Sequence, residues 1–399
     1  MAKILKNTGV NPQQTKPRLW TFNFVLICFS TLFIFMAFHS LYPTLPIYIE
    51  SFGGTTQIAG LALTSLTIAA ILSRPVTGWA LDKYGRKKIF LGGLIIFIIP
   101  MIIYIWLVPV VMLILLRFVQ GLGWGIGNTA SGTVASDIVP RERMGEGMGY
   151  YSLTLSISMA LSPALALWLI NQHSFRELFI ACSILTALSL LLALFIKYPS
   201  IEKPATPPRF VFMEKAALRP AAVILFVIIT YSSLISFLPL YATQQGLATA
   251  GFFFTAMALT TLISRPFSGI IVDRHGLKGY EISVIIGTAA SVAAMPILAQ
   301  TSTLTHLLVG GSLYGIGFGF IQPTMLALAI RSVSPEKKGA ANATYWTAVD
   351  MGAASGSLFW GFIAAAFGFK ILFHLTIIPL VVAMALFFLW RRTALLKET

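Results

Sequence analysis

The sequence predicts an all-α integral membrane protein with twelve transmembrane helices in two pseudo-symmetric six-helix halves. Three observations support this prediction: the composition, the number of apolar segments and a motif that returns at half-length. Of the 399 residues, 57% are hydrophobic and only 10% are charged, and the mean hydropathy is +0.84. Because an ordinary soluble chain contains about 25% charged residues, this composition is typical of a polytopic membrane protein.

Twelve apolar segments are each long enough to cross a bilayer, which takes about 20 residues of helix. Several contain a proline, which membrane helices tolerate when neighbouring groups satisfy the freed carbonyls. The predicted spans are approximately 21–49, 57–80, 89–107, 110–136, 147–170, 177–197, 220–243, 248–272, 281–299, 304–330, 342–367 and 371–390.

A repeated motif supports the division into halves. The stretch Ser73–Lys88, SRPVTGWALDKYGRKK, ends one predicted span and opens the next with charged residues. A weaker copy, SRPFSGIIVDRHGLK, occurs 191 residues later at Ser264–Lys278. Ser, Arg, Pro, Gly, Asp and Gly recur in register, so the chain is predicted to contain two related halves.

The segment between the sixth and seventh spans is the predicted boundary between the halves. Tyr198–Pro220 contains five prolines and residues of both charges, a composition typical of a linker. It predicts an amino-terminal half over 1–197, a linker over 198–219 and a carboxy-terminal half over 220–399. Since each half has six spans, both have the same orientation and are expected to be parallel repeats.

The positive charges predict the orientation in the membrane. With the amino terminus inside, 23 of the 28 Lys and Arg residues lie in cytoplasmic segments, whereas only Arg176 and Lys370 lie in external loops. This asymmetry predicts a multi-pass protein of the plasma or bacterial inner membrane with both termini in the cytoplasm. It also explains the net charge of +15 without a nucleic-acid partner. The remaining three cations, Arg74, Arg117 and Arg265, lie inside predicted spans.

Several motifs resemble those of the major facilitator superfamily. The loop Gly78–Lys88 is similar to the family's signature between the second and third spans. Arg117–Gly123 in span four resembles a second signature, and Tyr314–Gly319 repeats part of it in span ten. Ser158–Ala166 in span five keeps the proline of a motif carried by the drug/proton antiporter branch, with small residues in place of its glycines. The resemblance implies that family's fold and favours this branch.

The resemblance also implies a latch between the halves at the cytoplasmic end. Glycines there permit close helix approach and an unusual backbone conformation, and Asp82 can face a helix N-terminus, where negative charge is favoured. The latch would hold the outward-open state and break on inward opening; the alternative is a permanent tether. The predicted latch residues are Gly78, Asp82, Gly85, Arg86, Asp137 and Asp273.

Ionisable residues at membrane depth are functional candidates because they are costly to place there. Asp350 is the only carboxylate well inside a span, and Arg74 and Arg265 each lie eight residues before Asp82 and Asp273. In the implied fold, span two abuts span eleven, so we expect Arg74 to pair with Asp350 and to gate access. Separating this pair would favour proton uptake by the carboxylate. The alternative is a static structural pair.

Two further candidates for proton coupling have open interpretations. Arg117 either links the cavity to the coupling residues, as the resemblance implies, or is satisfied by carbonyls of neighbouring helices. His39, deep in span one, is either a hydrogen-bonded packing residue or a proton acceptor. Family exporters often carry an acid in span one, but here only Glu50 is present, at its outer end, which favours Asp350.

The resemblance places spans one, four, seven and ten around a central cavity, to which span eleven also contributes. The polar and aromatic side chains there predict a large, aromatic, weakly polar cavity that suits an amphipathic or cationic organic compound. Each side chain is alternatively a packing residue. The candidates are Gln120, Trp124, Asn128, Tyr231, Gln244, Tyr314, Gln322 and Trp346.

We therefore predict a proton-coupled multidrug exporter. It would be an antiporter that exchanges small amphipathic or drug-like organic molecules for protons by alternating access. The alternatives are proton-coupled import or export of a sugar or other small metabolite, and a receptor that binds without transport. No Gly-x-x-x-x-Gly-Lys-Ser/Thr motif or nucleophile with a base is present, so we do not expect an enzyme. We expect a monomer in the lipid bilayer with protons and a small molecule as its partners, and no cofactor or metal.

Overall fold

The computed structural model describes residues 17–53, 56–106, 109–199, 210–247 and 251–398, and these residues are helical with no β-strand. Eleven of the twelve long helices are long and apolar enough to cross a membrane; the apolar part of the last, Ile377–Leu389, is shorter. The helices are α1 Phe22–Ser51, α2 Thr56–Tyr84, α3 Arg86–Tyr104, α4 Val110–Ile138, α5 Met144–Gln172, α6 Phe175–Phe195, α7 Leu218–Gln244, α8 Gly251–His275, α9 Leu277–Ala299, α10 Leu304–Arg331, α11 Lys338–Leu375 and α12 Ile377–Glu398.

The boundary between the last two spans lies inside α11. Gly368 has φ 79° and ψ 169°, which interrupts the helix at a kink. Glycine adopts a positive φ at little cost. Thr376, between α11 and α12, has helical backbone angles, so the last span begins just after Gly368, close to its predicted start at 371. Of the predicted linker 198–219, residues 200–209 lie outside the described part of the chain.

The two sets of six helices pack in the same way. α4 packs on α2 and α3, and α1 packs on α5 and α6; correspondingly, α10 packs on α8 and α9, and α7 packs on α11 and α12. Glycines make the closest approaches at equivalent positions. A Cβ on Gly121 of α4 would lie 2.3 Å from the Leu66 carbonyl oxygen, and one on Gly315 of α10 would lie 2.4 Å from that of Met257. These glycines are 194 residues apart, so the two halves repeat not only the sequence motif but also the close contacts between helices.

The halves meet where α2 packs on α11 and α8 packs on α5. A Cβ on Gly78 would lie 2.7 Å from the Ala343 Cβ, and a Cβ on Gly269 would lie 2.4 Å from the Gly145 carbonyl oxygen. Such distances leave no room for a side chain. Both contacts lie at the same end of the bundle, which we call the basic end because it carries Arg86 and Lys338.

Replacing Gly269 with alanine should therefore destabilise this packing of the halves. The added methyl group would also lie 2.6 Å from the Glu146 Cα, and overpacking of this kind costs about 1–3 kcal/mol. We expect a lower melting temperature of the purified protein. Gly92→Ala is the matched control, because a Cβ there meets nothing within 4 Å. Equal melting temperatures for the two variants would show that the close approach has no energetic importance.

Candidate functional site

At the basic end, Asp82 of α2 joins the halves through the first turn of α11. Its Oδ1 accepts a hydrogen bond of 2.9 Å from the Gly339 amide, and its Oδ2 accepts one of 2.9 Å from the Ala340 amide. The first amides of a helix have no partner within the helix, and the helix dipole favours a negative charge there. Asp82 therefore acts as a cap supplied by the opposite half.

Asp273 of α8 makes the equivalent contact in the other direction. It accepts hydrogen bonds from the amides of Gly145, at 2.8 Å, and Glu146, at 2.7 Å, in the first turn of α5. The two motif copies thus each place a carboxylate on a helix N-terminus of the opposite half. Two symmetric contacts therefore join the halves at the basic end. The sequence identified their carboxylates but not their amides.

Arg86 connects the other predicted latch residues. Its Nε donates to Asp137 at 2.8 Å, and its Nη1 donates to Asp82 at 3.1 Å. Its Nη2 also donates to the carbonyl of Pro335, which precedes α11, at 3.1 Å. Gly85, with φ 91°, makes the turn from α2 into α3 that positions this side chain. Arg86 is therefore shared between two carboxylates of one half and the backbone of the other.

Lys338 is a member of this cluster that the sequence analysis missed. Its Nζ lies 3.2 Å from Asp137 Oδ1 and donates to the Ser136 carbonyl at 2.7 Å. The side chain is buried, although its position in the chain is that of an ordinary cation in a cytoplasmic loop. Lys338 differs from the other cations of this loop only because it lies in the first turn of α11, where that helix packs against α4.

Deeper in the bundle, the structure brings Arg74 of α2 and Asp350 of α11 together. The Arg74 Nε donates to Asp350 at 2.7 Å, and its Nη1 donates to Thr129 of α4 at 3.2 Å. The guanidinium also lies 5.7 Å from the ring centroid of Trp346. Arg74 is fully buried, whereas the Asp350 side chain is 18% exposed. The pair spans the two halves, and its acidic member is the more exposed of the two.

Arg117 is held differently. Its Nη1 donates to Gln120 on the next turn of α4 at 2.7 Å, and the Gln120 oxygen also accepts from Tyr104 at 3.4 Å. Among the described residues it forms no ion pair, and its Nε has no hydrogen-bond partner. Gln120, predicted to line the cavity, is instead buried beside Arg117. His39 is half-buried, and its Nδ1 lies 2.7 Å from the Ser158 hydroxyl.

The predicted cavity residues of α4 pack within the amino-terminal half. The Trp124 ring stacks on Phe38 of α1, with centroids 3.8 Å apart and planes 7° apart, which fits the packing interpretation. Asn128 is also buried, but its Oδ1 has no hydrogen-bond partner. The Trp346 indole nitrogen of α11 is likewise buried without an acceptor.

Predicted residues of α7 and α10 form an aromatic stack in the other half. The Tyr231 ring centroid lies 4.8 Å from that of Phe318 and 6.3 Å from that of Tyr314. Tyr231 is half-buried, and its hydroxyl contacts the Met159 sulfur of α5, 3.8 Å away across the halves. Tyr314 and Gln322 are buried, and the Tyr314 hydroxyl and Gln322 Oε1 have no hydrogen-bond partner.

Gln244 does not lie with the other predicted cavity residues. It is exposed at the end of α7 and lines a separate cavity of about 640 Å³. Tyr241, Gln300 and Lys370 share this cavity. Because Gln244 lies in the last turn of a long helix, its depth could not be judged from the span boundary alone.

Comparison with known proteins is consistent with this architecture. The family model described as Major Facilitator Superfamily matches residues 27–354 and, in a second match, residues 247–398. The chain belongs to the Major Facilitator Superfamily. It is therefore a multi-pass membrane protein of a family of transporters, which bind small molecules within the bilayer.

Several relatives within the superfamily are named as multidrug resistance proteins. The multi-drug resistance efflux pump PmrA of Streptococcus pneumoniae is 26% identical over 353 residues, which cover 84% of this chain and 87% of the relative. Multidrug resistance protein MdtG of Serratia proteamaculans is 27% identical over 363 residues, covering 85% and 86%. These relatives support the resemblance to the drug/proton antiporter branch.

Solved structures share the fold. The human organic anion transporter MFSD10 (TETRAN) superimposes with a TM-score of 0.78 at 18% sequence identity, covering 91% of this chain and 98% of that structure. At this identity the likeness concerns the fold alone.

Proposed function

We propose that the protein is a proton-coupled exporter of small amphipathic organic molecules that acts by alternating access. The observation that carries this proposal is the Arg74–Asp350 pair, which joins α2 of one half to α11 of the other and leaves the carboxylate 18% exposed. Charged groups at membrane depth are expensive. A pair that lies between the moving halves is therefore placed to make their movement depend on a proton.

The closed basic end supports an outward-facing state. The excess of Lys and Arg at this end favours its placement in the cytoplasm, where Asp82 and Asp273 hold the halves together. Asp350 would then be reached from the opposite side of the membrane. A proton bound there would neutralise the carboxylate and weaken its hold on Arg74, so that α2 and α11 could separate.

Export follows if substrate and proton occupy the protein alternately. After the basic end opens, Asp350 would release its proton to the cytoplasm and regain its charge. The return of the Arg74–Asp350 contact would then close the basic end around a bound substrate. The names of relatives such as the PmrA efflux pump support this direction.

Everted membrane vesicles test the proposed coupling. Respiration acidifies their lumen, a pH-sensitive dye reports the acidification, and a panel of amphipathic cations, neutral compounds and anions is added. We expect at least one compound to accumulate in the lumen and to release protons from it, only when the protein is present. Accumulation that persists after nigericin and valinomycin together collapse the pH gradient and the membrane potential would contradict proton coupling. Release of compound together with protons would indicate the import alternative.

A further inference from the structure

The two copies of the repeated motif differ in how their buried arginines are neutralised. Arg74 pairs with Asp350, whereas Arg265, its equivalent in α8, forms no ion pair among the described residues. Arg265 is 1% exposed, and its Nε and Nη1 are buried without a hydrogen-bond partner. Removing a charge from water without compensation is strongly unfavourable. The carboxy-terminal half therefore contains a guanidinium that lacks its anion.

The register of the repeat identifies the position where a second carboxylate would lie. Asp82 binds the amides of Gly339 and Ala340, and Asp273 binds those of Gly145 and Glu146, so α11 and α5 correspond with a shift of 194 residues. The same shift of 194 residues relates Gly121 of α4 to Gly315 of α10, the glycines that pack closely on α2 and α8.

On this register, the equivalent of Asp350 is Ser156. Ser156 is buried in α5, the helix whose Gly149 packs against the Arg265 carbonyl. The repeat has thus kept the arginine and replaced the carboxylate with a neutral side chain.

The surroundings of Arg265 are aromatic and polar rather than acidic. The phenols of Tyr231 and Tyr345 lie close enough to interact with it electrostatically. Tyr231 belongs to the half-buried stack that meets α5 across the halves. Nearby in the same half, the Tyr314 hydroxyl and Gln322 Oε1 are buried without partners. The donors available to a ligand are therefore the Arg265 nitrogens and the Tyr314 hydroxyl, beside an aromatic face, and within the described part of the chain no carboxylate pairs with Arg265.

We infer that the transported molecule carries a carboxylate, which Arg265 binds while its apolar part packs on the Tyr231 stack. This inference rests on the proposed transport function and narrows the sequence expectation, an amphipathic or cationic compound, to an amphipathic one that carries a negative charge. A guanidinium matches a carboxylate in charge and in the geometry of its hydrogen-bond donors. Of the two arginines in the repeated motif, Arg74 is already neutralised by Asp350, which leaves Arg265 to bind the ligand.

The test compares three probes that share one ring system: 1-naphthylacetate, its neutral amide 1-naphthylacetamide, and the cation 1-naphthylmethylamine. Binding to the purified protein is measured by calorimetry in detergent, without a proton gradient. We expect the carboxylate to bind about tenfold or more tightly than the amide, because hydrogen bonds to charged groups are the stronger ones. Arg265→Gln should remove this difference. Arg176→Gln, at an exposed position, is the control and should retain it.

The melting temperature gives a second measurement, which does not depend on the probes. Ser156→Asp supplies the carboxylate missing from the repeat and should raise the melting temperature relative to Ser156→Asn, while it abolishes the preference for 1-naphthylacetate. Equal binding of acetate and amide by the wild type, failure of both to bind, or an unchanged preference in Arg265→Gln would overturn the inference. Because binding is measured without a gradient, a failure of proton coupling in vesicles would leave these results unaffected.

Discussion

Replacing Asp350 with asparagine should reduce transport driven by a pH gradient to the level of vesicles that lack the protein. The carboxylate is the acidic member of the pair between α2 and α11, and asparagine cannot take up a proton. Downhill exchange of a transported compound should persist, since it does not require a net proton movement. Transport is measured in everted vesicles with and without a gradient.

The control for this experiment is Glu50→Gln, which removes an exposed carboxylate from the end of α1 and should leave both activities intact. Removing one partner of a buried ion pair lowers the stability of the folded protein by about 3–5 kcal/mol, because the other charge stays buried without a partner. The double variant Arg74→Gln/Asp350→Asn removes both charges and separates a folding defect from a coupling defect. Gradient-driven transport at the wild-type rate in Asp350→Asn would exclude a coupling role.

Removing the carboxylates at the two helix N-termini should open the basic end. Asp82 and Asp273 each accept two amide hydrogen bonds from the opposite half, and a hydrogen bond to a charged group contributes about 1.5–3 kcal/mol. A change of about 5.5 kcal/mol in the free-energy difference between two states converts a ratio of 99:1 between their populations into 1:99. Asp82→Asn/Asp273→Asn should therefore shift much of the population to an inward-open state, whereas each single substitution should shift less and slow transport.

The distance between spin labels at Lys87 and Arg274, two exposed positions in different halves, measures this opening. We expect a longer-distance population in the double variant, with the melting temperature largely preserved. Glu142→Gln, at an exposed acidic position of the same end, should leave the distances unchanged. If the double variant gives the wild-type distance distribution, the two contacts are permanent tethers without influence on the state.

Much of this architecture could be predicted from the sequence. The twelve spans follow from apolar length, and the half-length repeat predicted the matching helix contacts of the two halves. The latch carboxylates, Asp82 and Asp273, were identifiable because they recur in register within the motif. The contact between Arg74 and Asp350 was expected because each is a rare charge at membrane depth and the implied fold places their helices side by side.

The parts that were missed depend on contacts between the halves. The predicted spans began at 147 and 342, whereas α5 begins at Met144 and α11 at Lys338. The first turns of both helices lie where carboxylates of the opposite half cap them. Lys338 was indistinguishable from other loop cations for the same reason. The equivalence of Ser156 and Asp350 could not be predicted either, because it depends on the register that these caps define.

Proton binding by the purified protein is the sharpest test of whether Asp350 carries the coupling proton. Unbuffered wild-type protein and the Asp350→Asn variant in detergent are titrated across the pH range in which the wild type transports, and the protons bound per molecule are counted. We expect the variant to bind one proton fewer than the wild type over this range. Superimposable titration curves would contradict it, because Asp350 would then be a structural partner of Arg74 and the coupling proton would have to bind elsewhere.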